Sequence, residues 1–161
     1  MALARSIIFV MLLGILSHFV GELLPRKWFH DQKWPFKSFS WEKDGKIYEK
    51  LKIRQWKDKV PDMSKYMRRM VPKRLTKGAD SGQMGILIKE TCVAEFIHCL
   101  LCIFSIGVYF IWKNITGVFL TALCVFCNIP FILIQRYNRP HLQCIREKLL
   151  RREEHQTQCE C

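Results

Sequence analysis

Three stretches of this 161-residue chain have little or no charge. Residues 1–25 hold one Arg and one Glu, residues 91–112 hold only Glu95, and residues 114–135 hold none. Acidic residues are scarce throughout, 14 Asp and Glu against 26 Lys and Arg. A chain that is half hydrophobic and still carries a net charge of +12 keeps the two kinds of residue apart. Residues 26–90 hold 18 basic and 8 acidic side chains, a net of +10. That excess suits anionic lipid or a phosphorylated substrate. No nucleic-acid-binding module accompanies it, so nucleic acid is not an expected partner.

A cleavage signature is also missing. The first apolar run, residues 3–24, has only Arg5 in its N-terminal flank, no Ala-x-Ala site follows it, and Pro25-Arg26-Lys27 ends it in charge. At about the 20 residues a bilayer core requires, it reads as a retained membrane helix rather than a cleaved leader. The eight cysteines offer no metal site. Cys99, Cys102, Cys124 and Cys127 fall at i, i+3 inside apolar runs that lack the turns of a zinc ribbon, so they read as small apolar fillers. Cys159 and Cys161 are a pair without further ligands.

What is present predicts an all-α membrane protein: a single membrane domain over residues 1–161, with about three transmembrane helices plus a basic amphipathic interfacial segment. The spans are residues 3–24, 94–112 and 115–134. Lys113 and Asn114 alone separate the last two, which demands a tight hairpin. Asp80 or Ser81 caps a helix that runs unbroken into the second span. Asn128 and Pro130 predict local polarity and a kink in the third.

Residues 26–90 read as a cytoplasmic interfacial region, because Trp28, Phe29, Trp34, Phe36, Phe39 and Trp41 are interleaved with Arg26, Lys27, Lys33 and Lys37. Asp44-Gly45 marks a turn. After it the periodicity is mixed: Ile47, Tyr48 and Leu51 suit a helix, whereas Leu51 and Ile53 alternate as in a strand. Asp62 caps a helix with Met63, Tyr66, Met67 and Met70 on one face and Lys65, Arg68 and Arg69 on the other, stopped by Pro72. Basic residues on both sides of the second and third spans place the N-terminus outside and the tail, 135–161, in the cytoplasm of a multi-pass cell-membrane protein.

The candidate chemistry centres on Thr91, Glu95 and His98, which are spaced i, i+4, i+7 and fall within about 60° of one another on a helix. An acid and an imidazole at bilayer depth are costly and need a partner or a task. His98 suits a general base and Glu95 its orienting carboxylate. After the third span, Gln-Arg-Tyr-Asn-Arg-Pro-His-Leu (135–142) supplies Arg136, Asn138 and Arg139 as donors for an oxyanion or a phosphate. Trp41 and Glu42 fall at the same inner-leaflet depth and complete the expected substrate contacts. His18 and Glu22, i, i+4, either satisfy each other or join the site.

Four runs in this order resemble one family: Phe-Lys-Ser-Phe-Ser-Trp-Glu-Lys-Asp-Gly-Lys (36–46), Arg-Gln-Trp-Lys-Asp-Lys (54–59), Glu-Thr-Cys-Val-Ala-Glu-Phe-Ile-His (90–98) and Asn-Ile-Pro-Phe-Ile-Leu-Ile-Gln-Arg-Tyr-Asn-Arg-Pro (128–140). They are similar to glycosyl-4,4'-diaponeurosporenoate acyltransferases, small bacterial membrane proteins of the carotenoid pathway leading to staphyloxanthin. The resemblance runs from about residue 22 onward and departs from the family pattern at Trp41 and His141. It implies an acyltransferase that esterifies a sugar hydroxyl of a glycosylated carotenoid, or a similar glycolipid, with a fatty acyl group. Acyl-CoA or a phospholipid would be the acyl donor, no cofactor is needed, and self-association of the thin spans stays open.

Two other classes compete. Glu95-x-x-His98 is half of a di-iron signature, but the second motif is absent and only Glu22 and Glu90 are spare carboxylates. A non-enzymatic membrane adaptor would use the basic middle to bind anionic lipid or a partner enzyme.

Overall fold

The protein, as a computed structural model, is described over residues 1–60 and 80–159. Among these residues there are helices and turns and no strand. The amphipathic helix expected after Asp62 lies outside the described residues. Three helices are long and apolar enough to cross a membrane: Ala2–Leu23, Ser81–Trp112 and Ile115–Gln156.

Helix α1 (Ala2–Leu23) buries only Ser6. Leu3, Ile7, Ile8, Met11, Leu12, Ile15, Leu16 and Phe19 are all more than half exposed. A helix apolar on every side is one that a membrane or a protein core would cover. It ends where Leu24 turns extended ahead of Pro25, a residue that disfavours helical backbone before it. Arg26 Nη1 then donates to the carbonyls of Gly21, Glu22 and Leu24 at 2.7, 3.2 and 2.7 Å, satisfying the orphan acceptors of the helix end.

The chain forms two compact units. Met1–Arg26 with Val93–Leu133 makes the first, and Lys27–Cys92 with Ile134–Cys161 the second. In the first, α3 (Ser81–Phe104) contributes its later turns and α4 (Ile106–Trp112) continues it after an interruption at Ser105. The Ser105 hydroxyl donates back to Leu101 O at 2.6 Å, a local bond that competes with the helix ladder. Helix α4 packs on α1, where Trp112 Nε1 donates to Ser6 Oγ at 2.8 Å. The predicted hairpin is present: Lys113 takes φ 51°, and Asn114 Oδ1 accepts from the Gly117 N–H at 3.1 Å to start α5 (Ile115–Cys159).

The third apolar run, residues 115–134, forms the first part of helix α5, which continues unbroken for 45 residues to Cys159, through both Pro130 and Pro140. At about 1.5 Å per residue that is roughly twice the thickness of a bilayer core. Hydropathy marks where apolar side chains stop, not where the backbone stops being helical. The expected local polarity is there, since Asn128 Nδ2 donates to Cys124 O at 2.9 Å.

The second unit is built from short turns of helix. Ser40–Glu42, Lys46–Leu51 and Lys57–Lys59 are 3-10 helices, and α2 (Ile53–Trp56) is a single α turn. The mixed periodicity of residues 46–56 thus resolves as neither a regular helix nor a strand. Its core contains Phe29, Phe36, Tyr48, Ile53, Met84, Ile88, Ile134 and Tyr137. Helix α3 begins as predicted, with Asp80 Oδ1 accepting from Gln83 N–H at 2.6 Å. The Glu153 carboxylate adds a second cap, taking the Ser81 N–H at 3.0 Å and hydroxyl at 2.7 Å.

Candidate functional site

The predicted site residues divide between the units. Glu95 and His98 belong to the first, while Trp41, Glu42, Thr91, Arg136, Asn138 and Arg139 belong to the second. Each group has its own geometry.

In the first unit the His98 ring stacks on Phe131, centroids 4.6 Å apart and planes within 12°. Its Nδ1 lies 2.9 Å from Asn128 Oδ1. The Asn128 amide is itself oriented, because Nδ2 donates to Cys124 O. Its oxygen therefore faces the imidazole and can only accept. Nδ1 must carry the hydrogen, which leaves the lone pair of the neutral ring on Nε2. Sequence reasoning had Glu95 help orient this ring or stabilise its imidazolium, and placed Asn128 only beside a proline. The signal was present: an amide in an apolar span needs a partner, and His98 is the partner it has. Glu95 is buried, as is Ser105 in the same unit. His18 Nε2 and Glu22 Oε1 stand 4.0 Å apart on α1, in the mutual pairing their spacing allowed.

In the second unit a buried carboxylate gathers the loop. Glu42 is 2% exposed. Its Oε1 accepts from the Tyr48 hydroxyl and, at 2.6 Å, from Arg136 Nε. Its Oε2 accepts from the Phe39 N–H at 2.7 Å and from Arg136 Nη2 at 3.4 Å. Arg136 also donates to Pro35 O at 3.3 Å and lies over the Phe39 ring, 4.6 Å from its centroid. Burial, and then the hydrogen bond to Glu42, push the Tyr48 phenol well above its ordinary value, so it stays protonated and donating. Tyr48 was not among the expected residues. The left-handed turn at Lys43, Asp44 and Gly45 separates it from Glu42, so neither a continuous helix nor a strand pattern pointed to the pair.

Arg139, also 2% exposed, is a second fixed fork. Nε donates to Thr91 Oγ1 at 2.9 Å, Nη2 to Thr91 O at 3.1 Å, and Nη1 to Phe36 O at 2.6 Å. Thr91 passes its own hydroxyl hydrogen to Ile88 O at 2.7 Å. One arginine thereby ties α5 to α3 and to the Phe36 loop. Asn138 Oδ1 accepts from Lys57 Nζ at 3.3 Å, and the buried Tyr137 accepts from Arg54 Nε at 2.8 Å. Trp41 is 58% exposed and so presents its ring outward. The arrangement thus offers, in one unit, an imidazole stacked on Phe131 with its Nδ1 facing an amide oxygen. In the other it offers a hydrogen-bonded frame of two arginines and an exposed indole stacked on Phe39.

A family model described as glycosyl-4,4'-diaponeurosporenoate acyltransferase matches residues 25–148. Proteins of that name from Staphylococcus aureus strains RF122 and MRSA252 are each 32% identical over 136 residues, 84% of this chain and 82% of theirs. The protein of that name from strain N315 is 30% identical over the same shares. No solved structure matches the chain.

Proposed function

We propose a function from one established premise: this chain belongs to the glycosyl-4,4'-diaponeurosporenoate acyltransferase family. Its relatives are bacterial proteins named as acyltransferases, and the chain is an acyltransferase too. The reaction we assign is transfer of a fatty acyl group onto a sugar hydroxyl of a glycosylated carotenoid. Three helices apolar enough to cross a membrane support a membrane-inserted enzyme acting on greasy substrates. The charge excess of residues 26–90 supports an orientation with that region and the C-terminus in the cytoplasm and the N-terminus outside. The acyl donor is a cytosolic acyl-CoA or a phospholipid, and the chemistry asks for no cofactor.

The observation that carries the mechanism is the Asn128-oriented imidazole. We assign His98 as general base, since its Nδ1–H is directed to Asn128 and its lone pair is kept on Nε2. As the sugar oxygen attacks the acyl carbonyl, a C–O bond forms and His98 takes the hydroxyl proton. The tetrahedral intermediate collapses, the bond from the carbonyl carbon to the donor's sulfur or oxygen breaks, and the imidazolium returns the proton to that leaving group. Glu95 stabilises the imidazolium. In the second unit Trp41, Asn138 and Arg136 take the substrate contacts. Glu42, Thr91 and Arg139, each buried, hold those side chains and the Phe36–Phe39 backbone in place.

The test is mass spectrometry of lipid and pigment extracts from cells that make a glycosylated carotenoid, with and without this protein. An ester that appears only with the protein supports the assignment. An unchanged pigment profile, with the protein inserted, refutes it.

A further inference from the structure

The exposed tryptophans of the second unit are not held alike. Trp28 is 64% exposed and Trp34 81%, and among the described residues neither ring stacks on another. Trp41, 58% exposed, is braced by two rings. Its indole stacks on Phe39, with centroids 6.0 Å apart and planes at 10°. Tyr48 meets it edge-on, at 6.4 Å and 74°. Phe39 is in turn covered by the Arg136 guanidinium, 4.6 Å from its centroid.

These supports trace to one buried group. The Glu42 carboxylate, next in sequence to Trp41, accepts from the Phe39 N–H, the Tyr48 hydroxyl and Arg136. Both rings that brace the indole are therefore held before anything binds. Ordering a freely rotating side chain is a cost of binding, and here folding has already met it. Headgroup-level anchoring asks for no such bracing, and Trp28 and Trp34 have none.

The indole edge gives a second indication. Trp56 Nε1 donates to Leu51 O at 2.9 Å, and Trp112 Nε1 to Ser6 Oγ at 2.8 Å. Trp41 Nε1 donates to no group among the described residues. What stays open is a flat apolar surface with one hydrogen-bond donor on its rim. An acyl tail matches the surface but not the donor. A pyranose matches both, since its axial C–H bonds form a flat apolar face and its hydroxyl oxygens accept around the edge.

We propose that the Trp41 indole seats the sugar ring of the acceptor, with the ring's C–H face on the indole and a hydroxyl on Nε1–H. The proposal rests on the acyltransferase reading and names the part of the substrate that Trp41 holds.

The experiment uses the full chain in phosphatidylcholine nanodiscs, with its five tryptophans replaced by 5-fluorotryptophan. Trp41→Phe identifies the Trp41 fluorine signal. Octyl β-D-glucopyranoside is titrated in, with 1-octanol as its sugar-free counterpart. The Trp41 signal is expected to shift saturably with the glucoside and not with octanol. Acyl transfer to a glucosylated carotenoid is measured in parallel for three variants. Trp41→Ala is expected to raise the acceptor KM about tenfold with kcat kept within about twofold. Trp41→Phe, a smaller flat ring without the N–H, should fall between, and Trp34→Ala should match wild type. A Trp41 signal that the glucoside leaves in place, or that octanol moves as far, would overturn the proposal. So would an acceptor KM within about twofold of wild type in Trp41→Ala. If the glucoside shift appears while the wild type transfers no acyl group, the sugar seat stands and the acyl-transfer reading fails.

Discussion

Arg136 Nε lies 2.6 Å from Glu42 Oε1, with the two side chains 10% and 2% exposed. These residues are 94 positions apart, and their pairing fixes the Phe39–Tyr48 loop to α5. A buried pair contributes little net against a well-packed apolar substitute, but removing one partner leaves an uncompensated charge. Glu42→Gln is expected to destabilise the protein by about 3 to 5 kcal/mol. Glu42→Met with Arg136→Met should cost clearly less than the sum of the two single changes. Thermal unfolding of the wild type, Glu42→Gln, the two single methionine variants and the double methionine variant in one detergent measures both quantities.

Tyr48 makes that stability depend on alkaline pH. Its phenol is raised in the folded protein by burial and by the hydrogen bond to Glu42, so the fold binds this proton more tightly than the unfolded chain does. The contribution is complete below the unfolded value of about 10 and is lost as pH climbs from there toward the folded value. Relative to Tyr48→Phe, the wild type should lose stability more steeply above pH about 10, and its tyrosinate absorbance should show one group titrating late. Parallel alkaline profiles would contradict this.

Gly45 takes φ 86°, and a Cβ there would lie 3.3 Å from Tyr137 O, a backbone atom that cannot rotate away. Gly45→Ala should therefore cost about 1 to 2 kcal/mol through left-handed strain and crowding against α5. Gly14, with open space around it, is the control. Chemical denaturation of the two variants should separate them.

His98→Ala should lower kcat by about 10² to 10⁴ fold, the usual contribution of a positioned base, with insertion unchanged. Asn128→Leu keeps the imidazole but removes the acceptor that fixes its tautomer. Its kcat should fall less than that of His98→Ala, and its kcat–pH profile should shift. Steady-state kinetics across pH on both variants checks this, and an unshifted Asn128→Leu profile would remove Asn128 from the mechanism.

Much of this was legible locally. The Asp80 cap, the Asp44-Gly45 turn and the Lys113-Asn114 hairpin follow from side chains and dihedrals within a few residues of each other, and each was read correctly. The length of α5 has no hydropathy signal, because polarity rises at Gln135 while helix-forming residues persist to Cys159. The arginine clamps escaped for a different reason. Arg139 meets Thr91 across 48 positions and Phe36 across 103, distances over which no periodicity carries information. Arg136, Arg139 and Thr91 were singled out as unusual residues beside apolar runs, and the hydrogen bonds described for them run to the protein's own backbone and side chains. His98 was picked out by its cost in lipid, and the same reasoning applied to Asn128 would have paired them.

The most direct test is reconstitution of the purified protein with a glycosylated carotenoid and a fatty acyl donor, followed by mass spectrometry of the pigment. The account predicts a product heavier by one acyl group less a hydrogen, formed by the wild type and not by His98→Ala. No acylated pigment with either donor, or full product from His98→Ala, would contradict it.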